Sequence, residues 1–397
     1  MLLKESTGHA STGFLRNAAG LRLAVSSDFD GSGGRRPLAP GEGVLFERLG
    51  AALVHGDPDQ AQALTERAHR AQGQALLIEP ERYVRASGLA VRSPAARAGG
   101  PGSGSSALPL RDTSLATWGL EATRIPSSRY SGRGTRVAIL DTGLDLRHPD
   151  FADRAIVAQS FVAGLAVDDA NGHGTFCAGV ACGPLHPAFL PRYGIAFAAE
   201  LCIARVLDDN ADGTDGDTLA GIDWAVRNDC DVISMSLGSP VAVGDSYPRV
   251  YEAVAARALA AGSLLIAPAG NTSQRPDTIA PVEHPANCPS ILAVGALDQS
   301  FAVAPFSNGA LNPNGGEVDL AAPGIAIFSA APRPDLYQTG SGTSMAAPYV
   351  AGIAALFAEA DLTARGAALR ALLLRACRPV SAPVRDIGAG LVQAPQD

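Results

Sequence analysis

Two kinds of hydrophobic segment alternate along the chain from about residue 136 onward. Short apolar runs rich in β-branched residues predict buried strands, and longer segments with apolar residues every three or four positions predict helices. The strand-like runs are RVAIL, LCIARVL, DVISMSLG, SLLIAPAG and ILAVGAL, and the helix-like segments include GDTLAGIDWAVRND, YPRVYEAVAARALAAG and LTARGAALRALLLRAC. This alternation predicts an α/β domain with a doubly wound, mostly parallel sheet.

A separate unit precedes this domain. Its segments predict a strand, a hairpin, a helix and a final strand, in the order LRLAVS, VLFERL with AALVHG, PDQAQALTERAHRAQ and QALLIEPERYVRA. Residues 88–112 are rich in Gly, Ser, Ala and Pro, a composition typical of a linker. The predicted organisation is therefore a small α+β domain at residues 1–87, a linker at 88–112 and the larger α/β domain at 113–397.

The segment GTSMAAP places Ser344 between small residues at the start of the apolar helix YVAGIAALFAEA. The small neighbours leave room for a substrate backbone beside the hydroxyl, and the first turn of a helix carries free N–H donors. A serine at a helix start is also a common N-cap. The segment alone therefore leaves a nucleophile and a helix cap as alternatives.

Three upstream segments supply the groups that a serine nucleophile requires, namely a general base, a group that orients the base, and donors for the oxyanion. RVAILDTG places Asp141 at the end of an apolar run, and LLIAPAGN places Asn271 after another. NGHGTFCAG places His173 at the start of a helix of small residues. Ligands of doubly wound folds bind outside the carboxyl ends of the strands, where Asp141 and Asn271 are predicted to lie.

These motifs resemble those of subtilisin-like serine proteases (subtilases), in which Asp, His and Ser occur in this chain order. The resemblance extends from about Trp118 to the segment GAGLVQA near the C-terminus. It implies that Ser344 attacks the scissile carbonyl, that His173 is the general base and acid, and that Asp141 orients the imidazole. It also implies that the side-chain amide of Asn271 and the backbone N–H of Ser344 bind the oxyanion.

Residues 1–87 resemble a subtilase propeptide of the inhibitor type, which implies an intramolecular chaperone and temporary inhibitor whose IEPE-like end leads into the substrate cleft. The turn-rich segment DFDGSGGRRPLAPGE stands where the family has a helix, so an unrelated α+β adaptor is the alternative. Arginines near the linker suit self-processing after a basic residue, and the last of them lies close to the expected mature N-terminus. They are Arg85, Arg92, Arg97 and Arg111.

The resemblance also implies the walls of the substrate cleft. The segment SLGS resembles the strand to which substrate adds as a further β-strand, and APAG resembles the opposite wall of the primary pocket. The floor of this pocket carries Glu283, where the family commonly has a small or neutral residue. A buried carboxylate would favour Arg or Lys before the scissile bond, unless Glu283 points to solvent. The implied substrate-binding residues are Ser236, Leu237, Gly238, Ala269, Gly270 and Glu283.

The predicted mechanism uses no cofactor and no catalytic metal. The acidic segment DDNADGTDGD matches the first half of a calcium loop, with Asp208, Asn210 and Asp212 in the expected places. Position twelve is Leu219 where such a loop requires Glu, so a solvated loop is favoured over a structural calcium site. The six cysteines show no metal-binding spacing. Cys177 lies one helical turn after His173, as in the proteinase K-like branch, and is either close to the imidazole or a small core residue.

Composition and charge narrow the partners to a polypeptide substrate and the N-terminal unit itself. The net charge of −8 provides no basic surface for nucleic acid or anionic lipid. The longest apolar stretch, AAPYVAGIAALFA, is too short to span a membrane, and the N-terminus has no signal-peptide core. We therefore expect a monomer that is either cytoplasmic or exported without a cleaved signal, unless a leader lies outside this sequence.

Two other functions remain open at this point. The run VAILDTG resembles the active-site strand of an aspartic protease, but that mechanism needs two carboxylates that share a proton. Because no second DTG or DSG motif occurs, dimerisation would be required. A catalytically silent protein with the subtilase fold that binds peptides is the third possibility.

Overall fold

The structure is a computed structural model that describes residues 2–3, 20–29, 38–70, 75–86, 110–189 and 191–396. Most of the predicted linker, including Arg92 and Arg97, lies outside the described residues, as does the centre of the turn-rich segment. Arg111 is described and exposed.

The N-terminal unit contains a five-stranded sheet with the spatial order β2-β3-β4-β1-β5. The strands β3 and β4 form the predicted hairpin, β2 pairs with β3 in parallel, and β1 lies antiparallel between β4 and β5. The segment LRLAVS is thus an edge strand and is preceded by another strand. The elements are β1 (Leu2–Leu3), β2 (Arg22–Val25), β3 (Glu42–Phe46), β4 (Ala51–His55), α1 (Pro58–Arg70) and β5 (Ala75–Leu77).

The larger domain has a seven-stranded, wholly parallel sheet with the order β15-β14-β13-β11-β7-β9-β8. This confirms the predicted fold class: β7, β9, β11, β13 and β14 coincide with the short apolar runs, whereas β8 and β15 were not predicted. The strands of this sheet are β7 (Arg136–Asp141), β8 (Ile156–Ser160), β9 (Glu200–Arg205), β11 (Val232–Met235), β13 (Leu264–Pro268), β14 (Leu292–Leu297) and β15 (Leu320–Pro323). A hairpin of β16 (Ile327–Ala330) and β17 (Tyr337–Gly340) follows.

Helices cover both faces of this sheet, which explains why the strands are apolar on both sides. Along β7, Val137 and Ile139 belong to one hydrophobic cluster, while Ala138 and Leu140 belong to the cluster on the opposite face. The helices of the domain are α2 (Trp118–Ala122), α3 (His173–Cys182), α4 (Asp215–Arg227), α5 (Arg249–Ala260), α6 (Thr343–Ala360), α7 (Gly366–Ala376) and α8 (Val384–Ile387). Helix α6 is buried along nearly its whole length and packs against α3 and the sheet.

A short three-stranded sheet joins the N-terminal unit to the larger domain. Strand β6 (Tyr83–Ala86) lies between β10 (Asp212–Thr214) and β12 (Leu237–Gly238) and is antiparallel to both. The N-terminal sheet also contacts α4 and α5. The hydroxyl of Ser26 donates to Asp223 over 2.6 Å, and the guanidinium of Arg257 donates to two backbone carbonyls of the turn between β3 and β4. None of the helices in the described residues is long and apolar enough to cross a membrane.

Candidate active site

Asp141 and His173 form a buried pair at the carboxyl end of the central strand. Asp141 is the last residue of β7, and His173 is the first residue of α3. The imidazole Nδ1 lies 2.8 Å from Oδ1 and 2.9 Å from Oδ2 of the carboxylate. Burial opposes protonation of His173, but the neighbouring carboxylate of Asp141 outweighs it and holds the pKa of the imidazole well above its usual value.

The start of α3 is held by Asp169, a residue that the sequence analysis missed. Its carboxylate accepts hydrogen bonds from the hydroxyls of Thr142 and Thr175 and from the backbone N–H groups of Gly172 and Thr175, at 2.7 to 2.9 Å. The hydroxyl of Thr142 accepts in turn from the N–H of Gly174. Asp169 lies three residues before the N-cap Gly172, outside the position at which a sequence signals a helix start, and its contact with Thr142 beside Asp141 leaves no sequence signal.

Ser344 lies in the first turn of α6 and is fully buried in this structure. The N-cap residue of α6 is Gly342, so the helix-cap alternative for Ser344 is wrong. The Ser344 hydroxyl lies 3.5 Å from the carbonyl oxygen of Ser236, whose own hydroxyl donates to the carbonyl of Ser344 over 3.1 Å. Nε2 of His173 is buried and has no hydrogen-bond partner among the described residues.

Asn271 is oriented by the residue before Ser344. Its side-chain oxygen accepts from the backbone N–H and from the hydroxyl of Thr343, each over 2.8 Å. The hydroxyl of Thr343 accepts from the N–H of Gly270, which has a φ of 111°. Because the amide oxygen is thus assigned, the amide nitrogen is the end that can donate to a ligand.

Cys177 is both buried and close to the imidazole. Its sulfur lies 3.8 Å from Nδ1 of His173 and 3.6 Å from the carbonyl oxygen of Ser344. The ligand atoms of Asp141, His173 and Cys177 all lie within 4.8 Å of one another. Burial raises the pKa of the Cys177 thiol, which therefore stays protonated. All six cysteines of the chain are free thiols.

A groove between β10 and β12 leads towards Ser344, and β6 of the N-terminal unit lies in it. Gly238 pairs with Arg85, and Leu237 pairs with Ala86. If this antiparallel pairing is continued beyond Ala86, the next residue of the wall is Ser236. The strand therefore runs towards Ser236 and Ser344 as it approaches Ala86. Val84 and Ala86 point inward and are buried, whereas the side chain of Tyr83 is exposed.

Glu283 lies between the two predicted walls of the primary pocket. A Cβ atom at Gly238 would come within 2.8 Å of its carboxylate oxygen Oε2, and a Cβ atom at Gly270 would come within 2.5 Å of Cδ. Glu283 is 4% exposed, so the alternative in which it points to solvent is wrong.

The hydroxyl of Thr272 and the amide of Asn308 lie 3.3 and 3.4 Å from Oε1 of Glu283. Among the described residues, no cationic side chain forms an ion pair with this carboxylate. Desolvation raises the pKa of Glu283 above its usual value, although these neutral hydrogen bonds oppose the shift.

Two of the three candidate calcium residues, Asp208 and Asp212, have other partners for their carboxylates. Oδ1 of Asp208 accepts from the backbone N–H groups of Asn210 and Asp212, and the carboxylate of Asp212 binds Arg85. Leu219 lies within α4 and offers no oxygen ligand. The preference for a solvated loop over a calcium site, which would require six to eight oxygen ligands, stays a prediction.

Comparison with known proteins identifies the larger domain. A protein-family model with the description Subtilase family matches residues 132–390. Subtilisin DY of Bacillus licheniformis is 35% identical over 240 residues, which cover 60% of this chain and 81% of the relative. Subtilisin E of Bacillus subtilis (strain 168) is 35% identical over 253 residues, or 63% of this chain and 62% of the relative. An intracellular serine protease of Paenibacillus polymyxa is 36% identical over 248 residues, which cover 61% of this chain and 72% of the relative.

Proposed function

We propose, from the premise that this chain belongs to the subtilase family of serine endopeptidases, that Asp141, His173 and Ser344 are its catalytic triad. The observation that carries the proposal is the buried contact of Asp141 with Nδ1 of His173. The other ring nitrogen, Nε2, has no hydrogen-bond partner among the described residues. A carboxylate on Nδ1 selects the tautomer whose Nε2 can accept a proton.

The proposed reaction has two stages. The Ser344 hydroxyl attacks the scissile carbonyl carbon while Nε2 of His173 takes its proton, and the imidazolium then protonates the leaving amine as the C–N bond breaks. Water attacks the resulting acyl ester in the second stage, again with His173 as the base, and the Ser344 hydroxyl is restored. The carboxylate of Asp141 stabilises the imidazolium in both stages without taking its proton.

Two donors bind the oxyanion in this proposal, namely the side-chain amide of Asn271 and the backbone N–H of Ser344 in the first turn of α6. The two hydrogen bonds from Thr343 to the amide oxygen of Asn271 support this, because they direct the nitrogen to the other side. In subtilisins, removal of such an amide costs about 2.7 to 4 kcal/mol of transition-state stabilisation.

The N-terminal unit is proposed to act as an inhibitor held in the substrate groove. Its strand β6 pairs with both walls of the groove, as an extended peptide substrate would. Just before β6, the carboxylate of Glu79 accepts from the N–H groups of Arg249 and Val250 at the start of α5, and that of Glu81 accepts from the N–H of Gly216 at the start of α4. Carboxylates at helix N-termini are favourable, so these contacts support a closed zymogen.

We propose further that Glu283 favours Arg or Lys before the scissile bond. Its buried carboxylate, which has no cationic partner among the described residues, lies between Gly238 and Gly270. A substrate cation would compensate that charge. Peptide substrates that differ only at this position test the idea. Wild type should prefer Arg over Leu, Glu283→Gln should lose the preference and Glu283→Asp should keep part of it, whereas the same preference in all three enzymes would refute it.

Activity and self-processing can be tested together. Wild type, Ser344→Ala and the matched control Ser341→Ala would be expressed as full chains and compared by intact mass and by labelling with a fluorophosphonate. We expect wild type and Ser341→Ala to lose their N-terminal unit and to be labelled by the fluorophosphonate. Ser344→Ala should keep its N-terminal unit and should not be labelled. Labelling of Ser344→Ala, or inhibition of the wild type by pepstatin, would contradict the serine mechanism, and a wild type that is neither labelled nor processed would indicate a silent peptide-binding protein.

A further inference from the structure

Two arginines, one within β6 and one just before it, stand opposite two aspartates, one within β10 and one just after it. Arg85 on β6 pairs with Asp212 on β10. The antiparallel pairing continues beyond the strands, because the backbone N–H of Asp215 donates to the carbonyl of Arg82 over 2.9 Å. Both arginine positions precede Ala86 and are therefore on the N-terminal side of any bond presented to Ser344.

Arg85 binds Asp212 through two nitrogen atoms. Its Nη2 lies 3.1 Å from Oδ2, and its Nε contacts Oδ1. The side chain of Arg85 faces solvent on the same side of β6 as Tyr83, and 40% of the Asp212 side chain is exposed. A two-point contact of this kind recognises a guanidinium by geometry as well as by charge.

Asp215 faces the opposite side of the bound strand and is held by His284. Nε2 of His284 lies 2.8 Å from Oδ1 of Asp215, and both side chains are buried. The other carboxylate oxygen, Oδ2, accepts from the backbone N–H of Arg82 over 3.3 Å and lies 3.6 Å from its Nη1. The guanidinium of Arg82 also lies 3.7 Å from Glu79 of its own unit.

We propose that Asp212 and Asp215 are specificity residues that select substrates with basic side chains at two positions, three residues apart, on the N-terminal side of the scissile bond. Side chains three residues apart on a strand point to opposite faces, so Asp212 binds a side chain on one face of the bound peptide and Asp215 binds a side chain on the other. Two substrate positions lie between the basic ones. The position occupied by Tyr83 faces solvent and should accept any residue, and the position occupied by Val84 is buried and should accept a small aliphatic residue. The inference rests on the proposed endopeptidase function and extends it to a class of substrate.

Each contact has a moderate expected effect. Opposite charges across a strand pair contribute modestly where solvent reaches them, as it reaches both side chains of Arg85 and Asp212 and the guanidinium of Arg82, which corresponds to about two- to fivefold in binding per pair. Two such contacts together distinguish a doubly basic peptide from a neutral one by about tenfold.

The first test measures the contact in the full chain, independently of catalysis. In a Ser344→Ala background, hydrogen exchange of the amides of β6 would be compared for Arg85→Gln, Asp212→Asn and the double variant. We expect each single change to accelerate exchange about two- to fivefold, the double variant to add little, and the charge exchange Arg85→Asp with Asp212→Arg to restore protection. Arg136→Gln, which breaks an exposed pair with Glu200 at the amino end of β7, is the matched control. Additive effects of the two single changes would overturn the proposal.

The second test varies only the peptide, so that a folding defect cannot affect it. Peptides of the sequence EPERYVRASGLA would compete with a short chromogenic substrate of the self-processed enzyme. Gln in place of either arginine should raise the inhibition constant about two- to fivefold for wild type, whereas Gln at the Arg85 position should have no effect on Asp212→Asn. Gln in place of the tyrosine is the matched control.

The outcomes separate the two proposals. Equal inhibition by all peptides, with normal hydrolysis of the short substrate, would refute the basic selectivity and leave the endopeptidase proposal intact. A chain that neither hydrolyses the short substrate nor is labelled by the fluorophosphonate would instead refute the proposed function. The hydrogen-exchange experiment would then test by itself whether Asp212 binds Arg85.

Discussion

Thr343 donates both its backbone N–H and its hydroxyl to the side-chain oxygen of Asn271, each over 2.8 Å. The two residues are 72 positions apart in the chain, with Thr343 at the start of α6 and Asn271 near the start of the loop after β13. This double contact links the proposed nucleophile to the proposed oxyanion donor, because Ser344 is the next residue. The geometry of the two groups is therefore set together.

Loss of the Thr343 hydroxyl should lower the rate of the chemical step. Thr343→Val removes one of the two hydrogen bonds that orient Asn271, and a net hydrogen bond of about 1 to 1.5 kcal/mol corresponds to a five- to tenfold fall in kcat. The KM of a peptide substrate should stay nearly constant, because the hydrogen bond from the Asn271 amide to the oxyanion forms only in the transition state. Steady-state kinetics of Thr343→Val beside Thr343→Ser would check this, and equal kcat values for the two variants would contradict it.

The pH profile should report the protonation of His173. Since Asp141 raises the pKa of the imidazole well above its usual value, neutral His173 is available only at higher pH, and kcat/KM should rise with pH through that pKa. Asp141→Asn should lower kcat by about 10⁴-fold, because the imidazole then adopts the wrong tautomer, and should move the rising limb to lower pH. A variant that loses activity without this movement would indicate that Asp141 has only a structural role.

The stability of the protein should carry a signature of Glu283. Because burial raises the pKa of this carboxyl group in the folded state, the folded protein binds its proton more tightly than the unfolded chain. The contribution of Glu283 is thus most favourable below the unfolded pKa and is lost as pH rises through the folded pKa. Glu283→Gln should match the wild type at low pH and exceed its free energy of unfolding above that range, as measured by urea denaturation of the Ser344→Ala chain. If the free energies of unfolding of the two chains differed by the same amount at every pH, Glu283 would not titrate in this way.

A mercurial reagent should inactivate the wild type through Cys177. Its sulfur lies 3.8 Å from Nδ1 of His173, so a bound mercury atom would displace the imidazole from its position beside Asp141. Cys177→Ser should keep most of its activity in the presence of the reagent. Cys377, which is partly exposed and distant in sequence, offers the matched control Cys377→Ser. The same sensitivity of wild type and Cys177→Ser would show that another thiol is responsible.

The carboxylate of Asp150 should stabilise the fold through two phenols. Its Oδ2 accepts hydrogen bonds from the hydroxyls of Tyr193 and Tyr337, at 2.5 and 3.0 Å, and its Oδ1 accepts from the N–H of Ala188. Tyr337→Phe removes one of these donors and should lower the free energy of unfolding by about 1 to 3 kcal/mol, since hydrogen bonds to charged groups are stronger than neutral ones. Tyr130→Phe, at a hydroxyl that contacts an exposed arginine, is the control in the same urea denaturation. Equal stability of the two variants would contradict the assigned role of Asp150.

Much of the fold could be predicted from the sequence because buried parallel strands and covering helices have different periodicities. The apolar runs at β7, β9, β11, β13 and β14 coincide with strands of the sheet, and their alternation with helices indicated a parallel arrangement. The N-terminal unit was less predictable. Its first described strand, Leu2–Leu3, is too short to produce a pattern, and the edge position of Arg22–Val25 depends on pairing with a distant segment.

The candidate site was predictable where short motifs carry it. Asp141, His173, Asn271 and Ser344 each lie in a segment whose residue types suit one role, and the carboxyl ends of parallel strands gather at one edge of the sheet. The contacts that hold these residues were not predictable. Asp169 reaches Thr142, and Thr343 reaches Asn271, through side-chain hydrogen bonds between segments that have no mutual signal in the sequence.

The sequence by itself determined the class of fold, the family and the residues suited to a serine nucleophile, because periodicity and local motifs act over a few residues. Only the tertiary structure decided that Glu283 is buried between Gly238 and Gly270, and that Arg82 and Arg85 stand opposite Asp215 and Asp212. Those relationships depend on strand register and on the approach of distant segments, which are set by packing of the whole chain.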